Sequence, residues 1–175
     1  MNPANGVSMS ELSIGSSRGT NEVERLVDLV AGVSRVNHVI CARAFQTSVT
    51  CIDALKGSNL WTRASQGHVG LTGSETQLFG AESDGKLVAW QRNNGQVAWQ
   101  SDALRFRGLT APNWAGGQLL VGDSLGWAHW IDASNGQTIG RMQVDASGIA
   151  MTPLRVGKNW VIVTQSGLVQ ALKAE

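Results

Sequence analysis

The stretch Ala89-Trp90-Gln91-Arg92-Asn93-Asn94-Gly95 carries an apolar run into an Asn-Gly turn, and the chain returns to it twice. Trp130-Ile131-Asp132-Ala133-Ser134-Asn135-Gly136 repeats it 41 residues later, and Cys51-Ile52-Asp53-Ala54-Leu55-Lys56-Gly57 repeats it 38 residues earlier. A second glycine column runs ten residues upstream of the first, at Gly85 and Gly126, with Thr47 in that slot of the earliest copy. Gly167 continues this column 41 residues beyond Gly126. Two columns that keep a constant separation mark an internal repeat of about 40 residues.

Between the columns the residues read as strands. Leu78-Phe79-Gly80-Ala81, Leu119-Leu120-Val121-Gly122 and Val161-Ile162-Val163 precede the upstream glycine, and segments such as Lys86-Leu87-Val88-Ala89-Trp90 follow it. The runs are short and bounded by Gly, Asn, Asp or Ser, as strands and turns are. No segment carries a helical period. Four short strands per repeat of about 40 residues is the pattern of a propeller blade. The fold class is therefore all-β, a β-propeller of about four four-stranded blades. Residues 1–15 read as the outer strand of a preceding blade, with Asn5-Gly6 as its turn, and 16–27 as an inserted loop. Blades follow at 28–65, 66–104 and 105–146, and 147–175 form an incomplete last blade of three strands.

Composition narrows the function. The 175 residues hold 21 Gly, 7 Trp and no Tyr, and 42% are hydrophobic, enough for a packed core. Fourteen Lys and Arg against 13 Asp and Glu give a net charge of +1, which leaves no basic excess for nucleic acid. The apolar runs are strand-sized, well below the ~20 residues that span a bilayer. As written, the N-terminus shows neither a signal peptide nor a lipobox.

The blade motif Asp53-x-x-x-Gly57-x-x-x-Trp61 is similar to the PQQ-type propeller repeat. Three stretches resemble one family more closely: Arg18-Gly19-Thr20-Asn21-Glu22-Val23-Glu24-Arg25-Leu26-Val27-Asp28; Leu109-Thr110-Ala111-Pro112 with Val121 to Asp132; and Val144-Asp145-Ala146-Ser147-Gly148 onward. These resemble the BamB family, lipoproteins of the outer-membrane β-barrel assembly machinery. The resemblance implies the C-terminal half of an eight-bladed propeller at the periplasmic face of the outer membrane. It also implies a non-catalytic scaffold that docks the barrel-inserting subunit BamA through its periplasmic POTRA domains, with no cofactor and no metal.

The insert from Ser16 to Leu29 separates Gly6 from Gly57 by 51 residues instead of 38–41, and long loops are where such folds carry function. By the resemblance, acidic residues of this loop contact the partner. Asp28 falls on one such position, and Val30 occupies the other. Glu22, Glu24, Arg25 and Asp28 thus form the expected partner-binding set, a charged rim suited to orientation and on-rate. The alternative is a solvated loop whose charges pair locally.

Other residues read as structural. Trp61 and Trp99 recur four residues after a turn glycine and are expected to pack between blades. Trp127 and Trp130 point to opposite faces of one strand, Trp130 inward, while Trp127 and Trp114 are candidate exposed anchors. Asp53, Asp84 and Asp132 sit where a carboxylate caps a turn, and His38, His68 and His129 are scattered. Ser124 and Ser166 are turn residues, without the Gly-x-Ser-x-Gly of a nucleophile elbow. The competing function is a fragment of a PQQ-dependent dehydrogenase, a family marked by a vicinal cysteine pair; here Cys41 and Cys51 are ten residues apart. A third reading is a truncated chain with no independent function.

Two structural expectations complete the reading. A two-residue turn at Thr47 would put Cys41 and Cys51 on opposite faces, and a three-residue bulged turn would set them opposite each other. The equivalent slots hold the core residues Phe79 and Ala89, so free thiols are expected. Four blades of an eight-bladed parent are expected to stay an open arc, to self-associate into a two-chain ring next, and to close on themselves last.

Overall fold

In the central blades both faces of the middle strands are covered, and their sequences are accordingly almost wholly apolar. This is the arrangement in the computed structural model, which describes residues 5–6, 11–12, 14–15 and 28–173. The first sheet runs β1 (Leu29–Val36), β2 (Val39–Ala44), β3 (Ser48–Asp53), β4 (Ser58–Ala64). The second runs β5 (Thr72–Gly73), β6 (Gln77–Ala81), β7 (Leu87–Gln91), β8 (Val97–Ser101). The third runs β9 (Asn113–Ala115), β10 (Gln118–Gly122), β11 (Trp127–Asp132), β12 (Thr138–Gln143). The fourth has three described strands, β13 (Leu154–Val156), β14 (Asn159–Val163) and β15 (Val169–Lys173). Neighbours are antiparallel throughout, and no helix occurs among the described residues. The all-β propeller read from the sequence is the observed fold.

Each sheet presents a leading face to the next blade and a trailing face to the one before. Cys41, Val49, Cys51 and Trp61 of blade 1 pack on Leu78, Val88 and Trp90 of blade 2. Phe79, Ala81, Leu87 and Ala89 of blade 2 pack on Leu119, Val121 and Ile131 of blade 3. Leu120 and Ala128 of blade 3 pack on Trp160 and Ile162 of blade 4. The inner strands follow the same order, β1 beside β5, β5 beside β9 and β9 beside β13.

The repeated tryptophans close these joints, as expected from their spacing. Trp61 donates its indole N–H to the carbonyl of Arg92 at 2.7 Å, and Trp99 donates to that of Ala133 at 2.8 Å. Each ring lies over the turn glycine of the next blade. A Cβ on Gly95 would stand 2.5 Å from Trp61, and one on Gly136 2.5 Å from Trp99. Both glycines also hold positive φ, 69° and 77°, so two independent requirements fall on one column. Blade 3 carries Gly140 in the tryptophan slot and has no such clamp.

One expectation is overturned. Cys41 and Cys51 are joined in a disulfide, and no cysteine is free. Ala44 pairs with Ser48, so Phe45, Gln46 and Thr47 make a three-residue turn, and Cys41 stands directly opposite Cys51. Gln46 takes the left-handed conformation the turn demands (φ 48°), a role the sequence does not mark with glycine or asparagine. The disulfide fills the slot that Phe79 and Ala89, also directly paired, fill in blade 2. It closes a loop of ten residues, for which the chain-entropy argument gives about 3 kcal/mol. Cys51→Ala together with Cys41→Ala is expected to lower the unfolding free energy read from urea titration by about that amount, with an m-value equal or slightly higher as the unfolded chain expands. Reductant should then shift the parent chain but leave the double variant unmoved.

Candidate docking face

Asp28, the residue preceding β1, is exposed, and its carbonyl accepts a hydrogen bond from the Phe45 N–H at 2.8 Å. That bond sets the entry of β1 beside the β2–β3 hairpin tip, placing Asp28 at the end of the propeller where hairpin tips and blade connectors meet. Glu22, Glu24 and Arg25, the other members of the expected partner-binding set, lie outside the described residues, as does the inserted loop 16–27.

The rest of this end is stitched by backbone hydrogen bonds between tips and connectors. Gln46 donates to Gly67, Phe106 to Asp84, Ser124 to Arg107 and Gln165 to Gly148, all at 2.7–3.0 Å. Side chains reinforce them. Glu82 accepts from the Ser65 hydroxyl and the Gln66 N–H, and the Arg105 guanidinium donates to Asp84 at 2.8 Å. The Lys86 N–H and then Arg105 hold the Asp84 carboxyl below its usual range.

Asp123 is wholly buried and accepts from Arg107 Nε at 2.6 Å, from His129 Nε2 at 2.8 Å and from the N–H groups of Leu125 and Trp127. Burial pushes this carboxyl up, but the hydrogen bonds from His129, Trp127 and Arg107 outweigh it and hold the group ionised. Burial pulls the His129 pKa down against the pull of Asp123, so its imidazole is neutral near pH 7. This group pins the β10–β11 tip.

Against that framework stand four exposed apolar side chains: Phe45 at 48% exposure, Phe106 at 82%, Leu125 at 55% and Leu168 at 44%. Three are on hairpin tips and Phe106 is on a connector, where it holds positive φ (62°) without being glycine. Large apolar residues in the tightest turns, as in Ser124-Leu125-Gly126 and Ser166-Gly167-Leu168, are the sequence signal for these exposed side chains. The expected anchors Trp127 and Trp114 are partly covered. Trp127 lies beneath the Arg141 guanidinium at 5.1 Å, and Trp114 packs against the joint between blades 2 and 3. Trp130 packs against the joint between blades 3 and 4.

Turn carboxylates behave as read. Asp53 accepts from the N–H groups of Leu55 and Lys56, and Asp132 from that of Ser134. His38 reaches Asp53 at 3.7 Å, and His68 shares a hydrogen bond with Ser83. At the opposite end a cleft of about 710 Å³ opens between blades 1 and 2, lined by His38, Asp53, Lys56, Glu75 and Arg92. A second, of about 670 Å³, runs between the inner strands past Gly32, Leu71, Thr110 and Met151. Among the described residues, no three His, Cys, Asp or Glu side chains gather as a metal site would require. No described helix is long and apolar enough to cross a membrane.

One family, described as "Outer membrane protein assembly factor BamB", matches residues 1–101. The chain belongs to the BamB family. The BamB of Legionella pneumophila (strain Paris) is 31% identical over 160 residues, covering 91% of this chain and 41% of that one. The BamB of Alkalilimnicola ehrlichii is 31% identical over 173 residues, 99% of this chain and 45% of the other. The chain therefore spans less than half the length of these BamB relatives. Among solved structures, BamB from Moraxella catarrhalis superposes with a TM-score of 0.83 at 24% identity, over 91% of this chain and 47% of that one. A quinohemoprotein alcohol dehydrogenase from Comamonas testosteroni matches at TM-score 0.58 and 21% identity over 74% of this chain, a likeness of fold alone.

Proposed function

We propose that this chain serves as a non-catalytic scaffold of the outer-membrane β-barrel assembly machinery. It docks the barrel-inserting subunit BamA, through that subunit's periplasmic POTRA domains, on the propeller end that carries Asp28. Family membership carries the reading, since the relatives are named as assembly factors. The end of the propeller that carries Asp28 suits the role: exposed apolar side chains at Phe45, Phe106 and Leu125 supply contact area beside Asp28, and Glu22, Glu24 and Arg25, its near neighbours in sequence, would add charge suited to orienting a partner. The Cys41–Cys51 disulfide fits a periplasmic location, because such bonds persist in oxidising compartments. No observation favours the dehydrogenase reading, whose vicinal cysteine pair has no counterpart here.

Charge reversal at Arg25 and Asp28 together is expected to weaken capture of a BamA periplasmic fragment about tenfold, roughly 1.4 kcal/mol. Thermal unfolding should barely move, since exposed substitutions usually stay within about 0.5 kcal/mol. Undiminished capture by the folded double variant would remove these charges from the interface, and Phe106→Ser would then test the exposed apolar side chains separately.

A further inference from the structure

A pocket between blades 2 and 3 carries charges that the fold does not need. It has a volume of about 340 Å³ and lies between the connector after β8 and the β11–β12 pair. Arg107, His129 and Arg141 line it beside Leu104, Thr138 and Ile139. His129 and Arg141 are directly paired across the two strands. The same paired position holds Thr50 and Thr62 in blade 1, and Val88 and Gln100 in blade 2. Two blades therefore build this position without an ionisable group, and the third places a histidine and an arginine there.

Asp123 accounts for only part of the cluster. It accepts from His129 Nε2 at 2.8 Å and from Arg107 Nε at 2.6 Å. Arg141 makes no ion pair among the described residues, and its guanidinium lies over the Trp127 ring. Burial, aided by the charges of Arg107 and Arg141, keeps His129 neutral against the pull of Asp123. With its Nε2–H given to Asp123, the imidazole presents a lone pair at Nδ1. His129 is 1% exposed, and Nδ1 finds no hydrogen-bond partner among the described residues. A buried acceptor without a donor is destabilising. The pocket thus combines two guanidinium groups against one carboxylate with one buried nitrogen that lacks a hydrogen.

An occupant that answers both features must be an anion that also donates. A carboxylate or a sulfate accepts from the arginines but has no hydrogen for Nδ1. A phosphate group that retains a proton does both, since its oxygens suit the planar forks of arginine and its O–H can donate to the imidazole. We propose that this pocket binds a protonated phosphate group, with Arg107 and Arg141 donating to its oxygens and His129 Nδ1 accepting its hydrogen.

Titration calorimetry of the 175-residue chain with inorganic phosphate at pH 7, in a chloride buffer, tests this. Saturable binding at one site is expected, and sulfate should bind about tenfold more weakly for want of the hydrogen. Arg141→Gln should weaken phosphate binding about tenfold with thermal unfolding unchanged, because Arg141 is exposed and holds no part of the Asp123 framework. Arg141→Lys should recover part of the loss, keeping the charge without the fork. Arg155→Gln removes a guanidinium that lies over Trp160 at 5.2 Å in blade 4, and should leave binding as it is. Once free phosphate binds, a second arm names its source. Sedimentation with phosphatidylcholine vesicles containing phosphatidic acid, and not with phosphatidylcholine alone, assigns the group to a lipid headgroup; no sedimentation assigns it to a soluble ligand. A folded chain that takes up no phosphate overturns the proposal, and so does binding that sulfate matches or that Arg141→Gln leaves unchanged.

Discussion

Trp61→Ala is expected to cost the fold about 3–5 kcal/mol, the range for deleting a large buried aromatic. The ring is 7% exposed and packs in the cluster that joins blades 1 and 2. Its removal also strips the Arg92 carbonyl of the indole N–H that it accepts at 2.7 Å. Trp61→Phe should cost less, about 1–2 kcal/mol, because it restores much of the packing and loses the hydrogen bond. Gly95→Ala attacks the same contact from the other side, through a Cβ placed 2.5 Å from the ring at a φ of 69°. Its cost has a steric part that depends on the ring and a backbone part of about 1 kcal/mol that does not. In the Trp61→Ala background only the second part should remain, so the two changes should be clearly less than additive. Urea unfolding of the four proteins checks this, and full additivity would show that ring and glycine do not act as one clamp.

That clamp explains why the architecture was legible in the sequence. Gly95 and Gly136 must be glycine for backbone conformation and for contact with the preceding blade, so they recur at fixed spacing, and Trp61 and Trp99 recur with them. Leu78 and Phe79 each face a different neighbouring blade, which is why the strands read as unbroken apolar runs. What pattern could not reach depended on single turns. The pairing of Cys41 with Cys51 follows from one residue, Gln46, adopting a left-handed conformation that its side chain does not announce. The proposed docking face rests, at Asp28, on resemblance alone. Phe45, Leu125 and Leu168 look like strand residues until the hairpins place them at tips, because apolar character alone does not separate a buried position from an exposed one.

Arg43 was invisible for a related reason: an arginine in a strand reads as a solvent-facing residue. Here its side chain is wholly buried in the joint between blades 1 and 2. Nη1 donates to the carbonyls of Val69 at 2.9 Å and Ala81 at 2.7 Å, and Nη2 donates to Glu82 at 3.4 Å. The space exists because residue 80 is glycine, whose Cβ would stand 2.6 Å from Nη2. Burial lowers the guanidinium pKa to about 10 against the opposing pull of Glu82, yet the group stays charged near pH 7. Arg43→Met matches the stem but leaves two inner carbonyls without donors and Glu82 without its cation, and should cost about 3–4 kcal/mol. Arg43→Lys keeps the charge but has no planar fork to reach both carbonyls, so it should recover only part of that loss. Glu82→Gln should be milder than Arg43→Met, because an amide oxygen can still accept from Ser65 and Gln66. An Arg43→Met variant within about 1 kcal/mol of the parent would mean that the guanidinium contributes no more than a surface charge does.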